Sequence, residues 1–149
     1  MKSYLTAILL GGFVAGTIDI GAAALINLVN PIRVLHFIAG GLLGRAALAG
    51  GTGVALLGLL LQWAMSLIIA AIYVFAAHWL AIMKRLWVLS GLAYGIVVFF
   101  VMNYIVLPLS AWAIWPHFTV PTFAANMLAM LLFGLIVAFF VRRSARDAK

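Results

Sequence analysis

Residues Val54–Met83, VALLGLLLQWAMSLIIAAIYVFAAHWLAIM, form an apolar run of 30 residues that contains no Lys, Arg, Asp or Glu. A helix needs about 20 apolar residues to cross a hydrocarbon core of about 30 Å. This run is therefore long enough to span a bilayer. Lys84 and Arg85 follow it at once, and cations of this kind are enriched at the cytoplasmic ends of spans.

Three further apolar runs are long enough to do the same. So few residues remain outside the four runs that no water-soluble domain fits, and we expect one transmembrane domain over residues 1–149. The predicted fold class is all-α, an integral membrane four-helix bundle. Its predicted spans are about Leu5–Val29, Val54–Met83, Leu86–Ala113 and Thr122–Val141.

The segment Pro31–Ala49, between the first two spans, decides the topology. Its apolar middle is only about 16 residues long, which is short for a span. If it crossed the membrane, the basic tail would lie outside, whereas four spans with both termini in the cytoplasm leave only Arg33 and Arg45 outside. We therefore predict a short re-entrant or interfacial helix on the outer side. The predicted cytoplasmic cations are Lys2, Lys84, Arg85, Arg142, Arg143, Arg146 and Lys149.

Composition excludes several classes of function. The chain is 68% hydrophobic and 7% charged, against about 45–50% and 25% in soluble domains. Its net charge of +7 comes from the ends of the apolar runs, so the lipid bilayer is the expected partner and nucleic acid is not. There is no cysteine, and the acids are Asp19 and Asp147. We accordingly expect no metal site, no cofactor and no enzymatic activity.

Each predicted span carries one polar side chain in its outer half. Counted at 1.5 Å per residue, Asp19, Gln62, Asn103 and Asn126 lie about 18–25 Å from the inner edge of the hydrocarbon. A carboxylate at this depth costs several kcal/mol unless it is paired, hydrated or protonated. Arg45, or else Arg33, is the cation expected to reach Asp19. The predicted polar layer is Asp19, Arg45, Arg33, Gln62, Asn103 and Asn126.

Two interpretations of this layer remain open. In the first, Asp19 pairs with an arginine and pins the outer segment to the bundle, while the amides bond between helices. In the second, the layer lines a water-filled cavity in which Asp19 binds a proton, a cation or a group of a solute. The two are compatible if the ion pair forms the floor of the cavity.

Two small-residue strips permit close approach of helices. They are Gly12-x-x-x-Gly16 on the first span and Gly91-x-x-x-Gly95 on the third. Such strips serve either packing within one chain or a seam with another protein. A second copy of the chain, or another membrane protein, is therefore a possible partner.

Three motifs extend over most of the chain: AGTID at 15–19, IAGGLLGR at 38–45, and YG at 94–95 followed by MNYIVLPLS at 102–110. On these motifs the chain resembles a widespread family of small bacterial inner-membrane proteins of unknown function with four hydrophobic segments. The resemblance implies that architecture and location but brings no activity. Members of that family often carry histidine where this chain has Gln62 and Asn126, and amides do not titrate.

The function that these features favour is permeation or transport of a small solute or ion through an outward-facing polar site around Asp19. The alternative is a non-catalytic accessory or assembly subunit of a membrane complex. In that case the polar layer is structural.

Overall fold

The computed structural model describes residues 2–147, so Met1, Ala148 and the predicted cytoplasmic Lys149 lie outside the described residues. The described chain is helical almost throughout and contains no strand. A 3-10 turn, Gly44–Ala49, continues the second helix, and a π-helical turn, Met102–Val106, follows the fifth. The helices are α1 (Lys2–Asn27), α2 (Pro31–Leu43), α3 (Thr52–Trp79), α4 (Ala81–Arg85), α5 (Trp87–Val101), α6 (Leu107–Leu109) and α7 (Val120–Asp147).

Five helical segments within residues 2–147 are long and apolar enough to cross a membrane. The predicted all-α class is confirmed, and the helices have the length and composition of a membrane protein. The count by length and composition is five, whereas four were predicted. The additional segment is Pro31–Ala49, in which α2 and the 3-10 turn together reach 19 residues, and it has the lowest hydropathy of the five. The segments are Lys2–Asn27, Pro31–Ala49, Thr52–Trp79, Trp87–Leu109 and Val120–Asp147.

Helix α1 packs against both α3 and α7 and runs antiparallel to each. Near the start of α1, the Tyr4 hydroxyl lies 3.3 Å from Nδ1 of His78, which is close to the end of α3. The Ser3 hydroxyl donates to the carbonyl of Ser144, near the end of α7. Helix α5 packs on α7 and is antiparallel to it. We call the end where α1 begins and α7 ends the basic end, and the opposite end the cavity end.

Glycines allow the helices to approach closely. A Cβ atom on Gly16 would lie 2.8 Å from Cβ of Ser66 on α3. On the other side of the bundle, a Cβ on Gly95 would lie 2.9 Å from Cα of Leu131 on α7. The same holds for the preceding glycine of each strip, so both strips are occupied within the chain. The strip residues are Gly12, Gly16, Gly91 and Gly95.

Helix α2 lies at the cavity end. His36 Nε2 is 3.1 Å from the carbonyl oxygen of Gly51, just before α3. The Gly41 carbonyl accepts a hydrogen bond of 2.8 Å from the Ala111 amide, just after α6. Gly44 ends the helix with φ of +67°, a conformation that favours glycine. Helix α2 therefore contacts the start of α3 and the end of α6, which lie at the cavity end.

Candidate functional site

A cavity of about 430 Å³ lies between α1, α2, α3 and α7 at the cavity end. Its volume is within the range of sites for small molecules, about 300–1,000 Å³. Most of the wall is apolar, with a few polar side chains converging on it. The polar lining residues are Asp19, Asn27, Arg33, Gln62 and Asn126, and the apolar ones are Ile20, Ala23, Val29, Val34, Phe37, Ile38 and Leu48.

Asp19 is the acid of this cavity and is partly buried. Its Oδ2 accepts a hydrogen bond of 2.9 Å from Nε2 of Gln62. The same amide nitrogen lies 3.3 Å from the Gly16 carbonyl oxygen, so Gln62 is fixed against α1 by two acceptors. A neutral amide donor stabilises the carboxylate without neutralising it.

The arginines are arranged differently from the expected ion pair. Arg33, at the start of α2, lines the cavity, whereas Arg45 lies exposed in the 3-10 turn and is not part of the wall. Within residues 2–147, Asp19 takes its side-chain hydrogen bond from Gln62 and forms no ion pair with either arginine. The physical reason is proximity, since Gln62 is on a helix packed directly against α1.

The predicted polar layer is divided by the fold. Asn126 lines the cavity together with Asp19 and Gln62, and its Nδ2 donates to the Thr122 carbonyl one turn earlier, at 2.8 Å. Asn103 does not line it: it lies in the π-helical turn and donates to its own helix, to the Phe99 carbonyl at 2.9 Å. Helix α5 packs mainly against α7, which separates Asn103 from α1.

Sequence reasoning missed Asn27, the last residue of α1. It lines the cavity two turns beyond Asp19, with Ala23 between them. The spacing i, i+4, i+8 places all three on one side of a helix, so this signal was present in the sequence.

Helix α2 covers the cavity, and we call this helix the roof. Trp112 holds the roof in place by stacking and by a hydrogen bond. The Phe37 ring, which lines the cavity, stacks on the Trp112 ring with centroids 4.7 Å apart. Trp112 Nε1 also donates a hydrogen bond of 2.9 Å to the Phe37 carbonyl. Gly40 provides room for this ring, because a Cβ there would lie 2.6 Å from Cε2 of Trp112. The loop after α6 thus holds the roof in place.

The cavity offers a carboxylate, a guanidinium group and amides around an apolar space. Among the described residues, no group of three or more His, Cys, Asp or Glu is placed to hold a metal ion. Comparison of the chain with protein families, with curated proteins and with solved structures finds no match.

Proposed function

We propose that the protein binds a small solute or ion in the cavity around Asp19, and that this binding serves permeation or transport of the solute across the membrane. The observation that supports this most is the partner of Asp19, which is an amide on α3 and not a cation. A carboxylate among apolar walls costs several kcal/mol. A structural role would be served by a neighbouring cation, whereas an amide leaves the negative charge available to a proton, a cation or an ammonium group.

We further propose that the chain crosses the membrane four times, through α1, α3, the α5–α6 segment and α7. Two contacts support this arrangement: α2 reaches Gly51 before α3 and Ala111 after α6, which are both at the cavity end. The distribution of Lys and Arg supports cytoplasmic termini. The cavity then faces the outer side of a bacterial inner membrane.

The proposed role is binding and passage, without catalysis. The described lining residues include no Ser, Thr, Cys, Lys or His, and Asp19 is the one carboxylate among them. A mechanism that uses one carboxylate as general acid and another as general base would need a second carboxylate, which these lining residues do not include. A carboxylate held by one amide, with two further amides in the cavity wall, is suited to recognising a positively charged or hydrogen-donating solute.

Flux measurements in reconstituted vesicles test this function. The full chain and an Asp19→Asn variant are compared for passage of protons, K⁺ and methylammonium. Asn keeps the size of Asp19 and an acceptor for Gln62, so we expect the fold to persist and flux of the transported probe to fall at least tenfold. Thr6→Val is the matched control, because Thr6 is exposed on the same helix, donates to the Lys2 carbonyl one turn earlier and is outside the cavity wall.

Two results would overturn this proposal. The first is that Asp19→Asn passes the probes as well as the unaltered protein. The second is that no probe passes in either protein while Asp19→Asn unfolds at a much lower temperature. That second result would favour the accessory-subunit alternative, in which the polar layer is structural.

The topology is tested by labelling single thiols, because the chain has no cysteine. We expect Arg33→Cys, Arg45→Cys and His117→Cys to react from the periplasm and Arg85→Cys from the cytoplasm. All four positions are exposed. Labelling of Arg33→Cys and Arg45→Cys from opposite sides would show that Pro31–Ala49 crosses the membrane.

A further inference from the structure

The basic end gathers most of the positive charge of the described chain. The start of α1 meets the end of α7 through Ser3 and Ser144, and α4 also packs against α7. Cations from three separate segments are thereby brought to one end. Of the two acids of the chain, Asp147 lies at this end and Asp19 lies in the cavity. These cations are Lys2, Lys84, Arg85, Arg142, Arg143 and Arg146.

Three of these arginines line one concavity near the end of α7. It has a volume of about 290 Å³, and its wall consists of Arg142, Arg143, Arg146, Phe139 and Asp147. Arg142 and Arg146 are one turn apart on α7, so their charges repel unless an anion lies between them. Among the described residues, its wall offers one carboxylate, Asp147, to three guanidinium groups.

An aromatic side chain orients the first of these arginines. The guanidinium carbon of Arg142 lies 5.1 Å from the centroid of the Trp87 ring, within the range of a cation–π contact. Trp87 also packs edge-on against Phe139, with centroids 6.0 Å apart. Tryptophan is enriched at the depth of lipid headgroups, where its ring is apolar and its N–H is wet. Phe139 thus lies in the wall of the concavity, and Trp87 lies beside it in contact with Arg142.

An apolar groove continues from this concavity towards the middle of the bundle. Its volume is about 280 Å³, and it shares Phe139 with the charged concavity. Charged and apolar recesses that adjoin in this way match an amphiphile and do not match a free anion. The groove is lined by Val14, Trp87, Leu135, Ile136, Phe139 and Phe140.

We propose that these two recesses form a binding site for an anionic phospholipid, with the phosphate among Arg142, Arg143 and Arg146 and an acyl chain in the apolar groove. Guanidinium groups present paired donors that fit phosphate oxygens. The headgroup of the lipid supplies the negative charge that Asp147 alone does not provide. The site uses no residue of the Asp19 cavity, so it stands independently of the proposed function.

Lipid affinities of the full chain in detergent test this site. Native mass spectrometry compares phosphatidylglycerol with phosphatidylcholine of the same acyl chains, and phosphatidylglycerol should bind more tightly. Each basic residue at an anionic lipid surface contributes about a factor of five in affinity. We therefore expect Arg146→Gln to weaken phosphatidylglycerol binding about fivefold, and the double variant with Arg142→Gln about 25-fold.

Arg45→Gln is the matched control, because it makes the same change of charge at an exposed position on the other end. It should leave the affinity for phosphatidylglycerol unchanged. Arg146 is also exposed, so its replacement is expected to leave the fold intact and the test remains valid if Arg142→Gln disturbs packing on Trp87.

Three results would overturn the proposal. One is equal affinity of the unaltered protein for the two lipids. Another is an equal loss in Arg45→Gln and Arg146→Gln, which would indicate diffuse surface charge. The third is displacement of phosphatidylglycerol by inorganic phosphate at a similar concentration, which would mean that the groove contributes nothing and that the site takes a soluble anion.

Discussion

Replacement of Gly58 by alanine tests whether a backbone contact holds α2 as the roof of the cavity. Gly58 lies on α3 and faces the carbonyl group of Leu35 on α2. A Cβ atom there would lie 2.7 Å from the Leu35 carbonyl carbon and nearer still to its oxygen, whereas ordinary contacts begin at 3.4 Å. Because the obstructing atoms are backbone, no side-chain rotation relieves the overlap. Because the oxygen is the closer obstruction, the two helices must separate by about 1 Å or more.

The expected cost follows from that separation. A gap of about 0.5–1 Å forfeits a quarter to a half of the dispersion energy across a packed surface. Overpacking of this kind costs about 1–3 kcal/mol, and the better helix propensity of alanine recovers about 1 kcal/mol at most. We expect Gly58→Ala to lower the free energy of unfolding by about 1–2 kcal/mol. Gly53→Ala on the same helix is the matched control, because a Cβ there meets nothing within 4 Å.

Two measurements distinguish these variants. Thermal unfolding in detergent should give a lower midpoint for Gly58→Ala than for the unaltered protein, and an unchanged or higher midpoint for Gly53→Ala. A unique thiol introduced by Val34→Cys, at a buried position in the roof, should react with maleimide faster in the Gly58→Ala background. If Gly58→Ala is as stable as Gly53→Ala and the thiol reacts at the same rate in both, the close contact between α2 and α3 is refuted.

Two further substitutions test packing away from the cavity. Tyr73→Phe removes a buried hydrogen bond of 2.7 Å to the Ser90 hydroxyl. We expect it to lower the free energy of unfolding by about 0.6–1 kcal/mol, measured by thermal unfolding. An unchanged midpoint would contradict this expectation. Gly134→Ala places a Cβ 2.8 Å from the Gly95 nitrogen at the crossing of α5 and α7, and should cost about 1–3 kcal/mol. Gly21→Ala is the control, because a Cβ there meets nothing within 4 Å, and it should leave the free energy of unfolding unchanged. Equal stability of Gly134→Ala and Gly21→Ala would argue against the close crossing of α5 and α7.

The existence of the long helices could be predicted from the sequence, but not all their limits could. An apolar run in lipid must satisfy its backbone groups internally, which a helix does. The predicted span Val54–Met83 nevertheless breaks at Leu80, where φ is −106° and ψ is 86°, and α4 begins as a separate helix. Neither proline nor glycine marks this break, so the sequence carries no local signal for it.

The bounds of the second helical segment, Pro31–Ala49, could be predicted, but its internal structure could not. Glycines at 40, 41 and 44 suggest interruption, because glycine weakens helices in isolation. In the structure Gly40 is inside the helix, and its missing side chain makes room for the Trp112 ring. A tertiary contact of this kind cannot be inferred from local propensity. With that contact α2 runs without a break to Leu43, and the 3-10 turn that begins at Gly44 completes the 19 residues of the segment.

Part of the polar site could be predicted because depth along a helix follows from counting residues. That count places Asp19, Gln62 and Asn126 near one level, and they share the cavity. Asn103 was assigned to the same level, but lateral position depends on which helices are neighbours, and α7 lies between α5 and α1. Which of Arg33 and Arg45 lines the cavity could not be counted in this way, because it depends on the 3-10 turn that carries Arg45 away from the wall.

The two proposed sites are carried by the same pair of helices at opposite ends. Along α7, Asn126 in the cavity wall and Arg142 in the charged concavity are separated by 16 residues, or about 24 Å of helix. Changes at such a distance with no shared contact are usually additive. The cavity wall is formed by α1 to α3 and α7, and the apolar groove is formed by α1, α5 and α7. The two sites share no lining residue and therefore rest on separate contacts. We therefore expect Asp19→Asn to reduce solute flux without changing the affinity for phosphatidylglycerol. We expect Arg146→Gln to reduce that affinity without changing the cavity. Each proposal is therefore tested by its own experiment.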